Sequence, residues 1–178
     1  GWAGAGFSYD NGSTVPIEVR DFSSLSSIII GIKGSSPQAR FEITDSLGGK
    51  ASVYLDGISS NQETFYNISF SNLVGSIDKT KVVAIYVIVE GNNKTGTLEL
   101  NRLTNSLYLL PDATKTAADI NIPYTGLDTP GVATVAPQGA TATVVKTGRG
   151  LTLTYNTLDK GWAGAGFSYD NGSTVPIE

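Results

Sequence analysis

Carboxylates, tyrosines and a few arginines are what this chain offers to chemistry, because it contains neither histidine nor cysteine. Without them no disulfide, zinc–thiolate site, Cys–His pair or Ser-His-Asp triad can form. Two kinds of oxygen chemistry remain. Paired carboxylates for glycoside hydrolysis would have to come from Glu42, Asp45, Asp56 or Glu63, and nothing in the sequence around them marks a buried acid of raised pKa. Asp10, Asp45 and Asp56 stand near expected loops and could offer oxygens to Ca²⁺, but their spacing matches no calcium motif. The expectation is a non-enzyme without a resident cofactor, structural Ca²⁺ being the one metal the composition admits.

Recognition is the other use for such residues. A sugar site needs flat aromatic rings to stack on pyranose faces, with polar side chains at their rim. Tyr54 and Tyr86 fall on the faces opposite their strands' core alternation, where Arg40 and Glu42 could share a surface with them. These four residues, with Trp2, are the candidate ligand-binding set. The competing reading of the same residues is a solvated sheet face with cross-strand Arg–Glu and Tyr–Tyr pairs, each contributing at most about 1 kcal/mol. The stretch GWAGAG around Trp2 is no phosphate loop, since it lacks the Lys-Ser/Thr pair and no helix follows it. Its alternation sets Trp2, Gly4, Gly6 and Ser8 against Ala3, Ala5, Phe7 and Tyr9. Trp2 then either packs in the core or borders a shallow groove over the glycines. Asn11, Asn67, Asn93 and Asn171 begin Asn-x-Ser/Thr sequons, a number that chance supplies in a Ser/Thr-rich chain.

The elements that must position these residues are strands. Period-two alternation runs through ARFEITD (Phe41 and Ile43 against Arg40, Glu42 and Thr44) and through ASVYLD (Val53 and Leu55 against Ser52, Tyr54 and Asp56). KVVAIYVIVEG places Val83, Ile85, Val87 and Val89 on one face and Ala84, Tyr86, Ile88 and Glu90 on the other. Both faces are mostly apolar, so a central strand is expected. Further strands are expected at 25–33, 63–70, 96–103, 140–147, 150–156 and within each copy of the terminal repeat, separated by Gly, Pro, Asn and Ser turns. Residues 104–130, with Pro111, Pro123 and Pro130, read as a connector carrying at most an edge strand at 117–122. The expected fold is all-β, an antiparallel β-sandwich with the jelly roll as its leading form. At 178 residues the chain suits one domain: 1–103 as its main part, 104–130 as connector, and 131–178 as further strands.

Residues 1–18 and 161–178 are the same eighteen letters, GWAGAGFSYDNGSTVPIE, at a period of 160. Self-similarity at the length of a whole domain points to a tandem array of near-identical domains; the alternative is a strand copied by design. The lack of methionine is what a mature or excised segment would show. The second copy has its upstream neighbour at 150–156 and the first has its downstream neighbour at 25–33, so exchange of one copy into another molecule's sheet is expected.

Ile17–Leu25 leads into four stretches in a familiar order: Ile30–Gly34, Arg40–Asp45, Tyr66–Phe70 and Gly96–Leu100. Over residues 1–103 this order resembles the carbohydrate-binding-module-like jelly rolls of the galactose-binding-domain superfamily, which include complex I intermediate-associated protein domains and modules attached to glycan-degrading enzymes. The resemblance implies that 131–178 carries strands which the family places first, so the chain is circularly shifted against the family order. It also implies a glycan-binding or adhesive role. Where many relatives close with acidic residues that help hold Ca²⁺, this chain has Glu99-Leu100-Asn101-Arg102, which speaks against the metal. Only 16% of residues are charged, the net charge is −4 and the isoelectric point is near 4.8, so neither nucleic acid nor an anionic membrane is an expected partner. No apolar run nears the ~20 residues of a membrane helix. The expected function is a non-catalytic extracellular or cell-surface repeat module that binds glycans or adheres. Its alternative is a self-assembling structural subunit whose partners are neighbouring copies of itself.

Overall fold

A computed structural model describes residues 19–105, 131–136, 138–147 and 150–168. The first copy of the repeat, with Trp2 and Asp10, and residues 106–130 of the expected connector lie outside the described residues.

Eleven strands are described: β1 Ser27–Gly34, β2 Gln38–Asp45, β3 Lys50–Asp56, β4 Thr64–Ser69, β5 Val74–Ser76, β6 Val82–Glu90, β7 Thr95–Asn105, β8 Gly131–Val135, β9 Thr141–Thr147, β10 Gly150–Asn156 and β11 Trp162–Ser168. They form two antiparallel sheets, ordered β4-β1-β7-β10-β9 and β5-β3-β2-β6-β11-β8. The main strands turn alternate apolar side chains into the seam between the sheets. Ile28, Ile30, Ile32, Leu98, Leu100, Leu151, Leu153 and Tyr155 from one sheet meet Phe41, Ile43, Ile85, Val87, Val89, Ala163 and Ala165 from the other. The result is an all-β sandwich whose single main core is the seam between the sheets.

Strands β8–β11 are integral to this sandwich rather than appended to it. β10 pairs with β7 along its whole length, and β11 lies between β6 and β8. The second copy of the repeat therefore takes β6 and β8 as partners, not its upstream neighbour β10. A 3₁₀ turn at Leu158–Lys160, closed by Gly161 at φ 86°, carries the chain from one sheet to the other. Thr157 anchors that turn, its hydroxyl donating to the Gly91 carbonyl at 2.7 Å and accepting from the Lys94 N–H at 2.9 Å.

β6 is central, as its two apolar faces require. One detail departs from simple alternation. Thr44 stands opposite Ala84 but Asp45 stands opposite Val82, so Val83 is an extra residue in β6. This bulge turns Val83 to the outer face beside Ala84, Tyr86 and Ile88, and gives its expected core place to Val82.

Candidate functional site

The outer face of the six-stranded sheet gathers the sequence-nominated residues. Alternation sends Arg40 and Glu42 outward from β2, Tyr54 from β3, Tyr86 from β6 and Trp162, the twin of Trp2, from β11. The register then sets Arg40 opposite Tyr54, Glu42 opposite Tyr86 and Trp162 opposite Glu90.

Arg40 is the hub of a charge network. Its Nε donates to Glu90 Oε1 at 2.8 Å, and its terminal nitrogen pairs with Glu42. Lys50 Nζ lies 3.5 Å from the other Glu42 oxygen, and the Tyr54 hydroxyl donates to Glu90 Oε2 at 2.7 Å. Burial opposes the Arg40 charge, yet the hydrogen bond to Glu90 and the charge of Glu42 hold its pKa above the ordinary value. Tyr54 is likewise raised, chiefly because Glu90 accepts its proton in a hydrogen bond that ionisation would destroy. Beside the network, Ser36, Pro37, Gln38, Ala39 and Lys94 line an open cleft with Arg40, Tyr54 and Glu90. Gln38 Nε2 donates to Asp56 Oδ1 at 2.6 Å at the end of the same face.

The two tyrosines have different fates. Tyr54 is 52% exposed, whereas Tyr86 is 5% exposed and packs with Val83, Ala84 and Ile88, flanked by Val19 and Trp162. The expected two-tyrosine platform therefore reduces to Tyr54, with β2 between it and the covered Tyr86 ring. Trp162 is half-buried on this outer cluster and is not part of the main core.

Among the described residues the other nominated carboxylates, Asp45, Asp56 and Glu63, do not gather with Glu42 at one centre. Asp45 staples two loops: Oδ1 accepts from the Leu47 and Gly49 N–H groups at 2.8 Å each, and Oδ2 accepts from the Asp78 N–H at 2.7 Å. Burial pushes its pKa up, but these three donors outweigh it and leave the carboxyl below its ordinary range. Glu63 sits against Gly31 of the other sheet, remote in the fold from Glu42. Among the described residues no group of three acidic side chains is placed to hold a metal ion. Sequence reasoning missed Glu90, Gln38 and Lys94. Glu90 carried a signal, closing the outward series Ala84, Tyr86 and Ile88, but its contact with Arg40 needed the β2–β6 register.

No protein-family model, no curated protein and no solved structure matches this chain.

Proposed function

We propose that this protein is a non-catalytic module that binds glycans or adheres through the outer face of its six-stranded sheet, at an extracellular or cell-surface location. The observation that carries the reading is the open cleft in which the exposed Tyr54 ring adjoins the Arg40–Glu90 pair and the Gln38 and Lys94 side chains. A flat ring with fixed donors and acceptors at its rim is the arrangement that gives both contact area and orientation. The circular shift and the galactose-binding-like jelly roll belong to the same proposal. A glycan array followed by calorimetry tests it. Tyr54→Ala is expected to weaken binding by about tenfold, equivalent to ~1.4 kcal/mol, while leaving the fold intact. Absence of any glycan ligand, or affinity indifferent to Tyr54→Ala, refutes it.

A second reading, a self-assembling structural subunit, is favoured by the duplicated strand sequence, one copy of which occupies an internal position in a sheet. Concentration-dependent oligomers in analytical ultracentrifugation support it, and a strict monomer across the accessible range counts against it.

A further inference from the structure

β11 occupies a slot rather than an edge: β6 flanks it on one side from Trp162↔Glu90 to Ser168↔Ala84, and β8 on the other from Gly164↔Val135 to Ser168↔Gly131. The slot is selective. Ala163 and Ala165 are fully buried under the opposite sheet, where a larger side chain would have to displace packed core residues. A Cβ on Gly164 would lie 2.7 Å from the Val87 carbonyl oxygen, and one on Gly166 would collide with the Ile85 carbonyl. The sequence that meets these demands, WAGAGFS, occurs twice in the chain, at 2–8 and at 162–168.

The downstream end of the slot identifies what else it was shaped to receive. Beyond Ser168↔Ala84, the next backbone pairing on β6 is made by Arg20, whose N–H donates to the Val82 carbonyl at 2.8 Å and whose carbonyl accepts from the Val82 N–H at 3.0 Å. The neighbouring Lys81 carbonyl accepts from Ser46, just past the β2 end. Successive residues of a strand direct their backbone groups to opposite sides, so Val82 and Arg20 meet on the edge of β6 that β11 occupies. Residues 19–20 thus continue the line of β11 in the same direction. Residue 19 is the covalent continuation of the first copy, not of the second. Copy two is tethered to the slot's upstream end through Thr157–Gly161, and copy one to its downstream end through residues 9–18.

We propose that the slot between β6 and β8 is an acceptor site for either copy of this segment, so that residues 2–8 and 162–168 exchange within one molecule and the chain folds in two alternative frames. Identical side chains and backbone groups make the slot's own contribution the same for both occupants. What differs is the tether. Five residues join Asn156 to Trp162 and ten join Ser8 to Val19, a doubling that changes loop closure by a factor of only about three. The ordered turn, in which the Asn93 N–H donates to the Leu158 carbonyl, belongs to copy two alone and accounts for its tenancy here. This exchange goes beyond glycan binding and stands without it, since it requires no ligand.

The test uses the full chain. Gly166→Val blocks copy two and Gly6→Val blocks copy one by the same collision. Because the chain has no cysteine, a Ser8→Cys and Ala84→Cys pair, mirroring the Ser168↔Ala84 pairing, reports copy one in the slot. Gly166→Val is expected to keep a cooperative urea transition and to make the 8–84 disulfide the main product within single chains. Gly6→Val alone leaves the transition unchanged, and the double variant loses both the transition and the cross-link. Unfolding of Gly166→Val as complete as that of the double variant overturns the proposal. So does a folded Gly166→Val without the 8–84 cross-link, a folded double variant, or cross-links formed only between molecules.

Discussion

Asp45 offers the sharpest quantitative test of how this sandwich holds its loops. Its two oxygens take three backbone N–H groups, from Leu47, Gly49 and Asp78, and the residue is only 6% exposed. Asp45→Asn keeps the volume but leaves one oxygen. Whichever way the amide turns, an NH₂ group faces either the Leu47–Gly49 pair or the Asp78 N–H, donor against donor. A hydrogen bond to a charged acceptor contributes ~1.5–3 kcal/mol, and Asn keeps one of the two acceptor oxygens, so we expect a loss of about 2 kcal/mol. For a domain of this size that corresponds to a fall of about 4–8 °C in Tm. The pH dependence follows from the depressed pKa. Folding stability supplied by the carboxylate is fully present above the ordinary value of 3.8 and is lost as pH falls through the lower folded-state value. The gap between wild type and Asp45→Asn in urea unfolding should therefore be constant near neutrality and close only below pH 3.8. A gap under about 0.5 kcal/mol at neutral pH, or one unchanged in acid, would refute the assignment of Asp45 as an ionised staple.

Other perturbations separate the site from the scaffold. Arg40→Met removes the cation that Glu42 and Glu90 share; with side-chain exposures of 9% and 35% for the two carboxylates, solvent screening limits the expected loss to about 1–2 kcal/mol, measurable by urea unfolding. Adding Glu42→Gln should recover part of it. Glu90→Gln replaces the charged acceptor that raises Tyr54 with a neutral one, so the alkaline titration of that phenol, isolated by difference against Tyr54→Phe, should move down toward 10.0. Phe41→Ala, at a fully buried position between the sheets, should cost about 3–5 kcal/mol in the same unfolding assay.

Much of the scaffold is legible in the letters. ARFEITD and ASVYLD alternate so regularly that the outward set Arg40, Glu42 and Tyr54 follows from periodicity alone, because a strand turns successive side chains to opposite faces. The apolar run of β6 likewise announces a central strand. Its bulge does not: Val82 and Val83 are the same residue type, so no pattern shows which faces inward, and the answer depends on the Asp45↔Val82 pairing. Val74–Ser76 and Gly131–Val135 are too short for alternation to single out, and their pairing with β3 and β11 makes them strands. The candidate site was half legible for the same reason. Tyr54 and Tyr86 look alike in sequence, but Tyr54 lies on β3, near one edge of the sheet, and Tyr86 lies on its covered central strand.

What the amino-acid sequence determined by itself is local and periodic: an all-β chain, the inward and outward residues of most strands, the absence of thiol and imidazole chemistry, and an eighteen-residue segment written twice. The tertiary structure decided what depends on pairing between residues far apart in the chain. It set Glu90 on Arg40, covered Tyr86, and placed copy two in line with residue 19, the continuation of copy one. Alternation has a two-residue memory and fixes a face. Which strands become neighbours is chosen by backbone hydrogen bonds and core packing across the whole chain, and no local pattern records that choice.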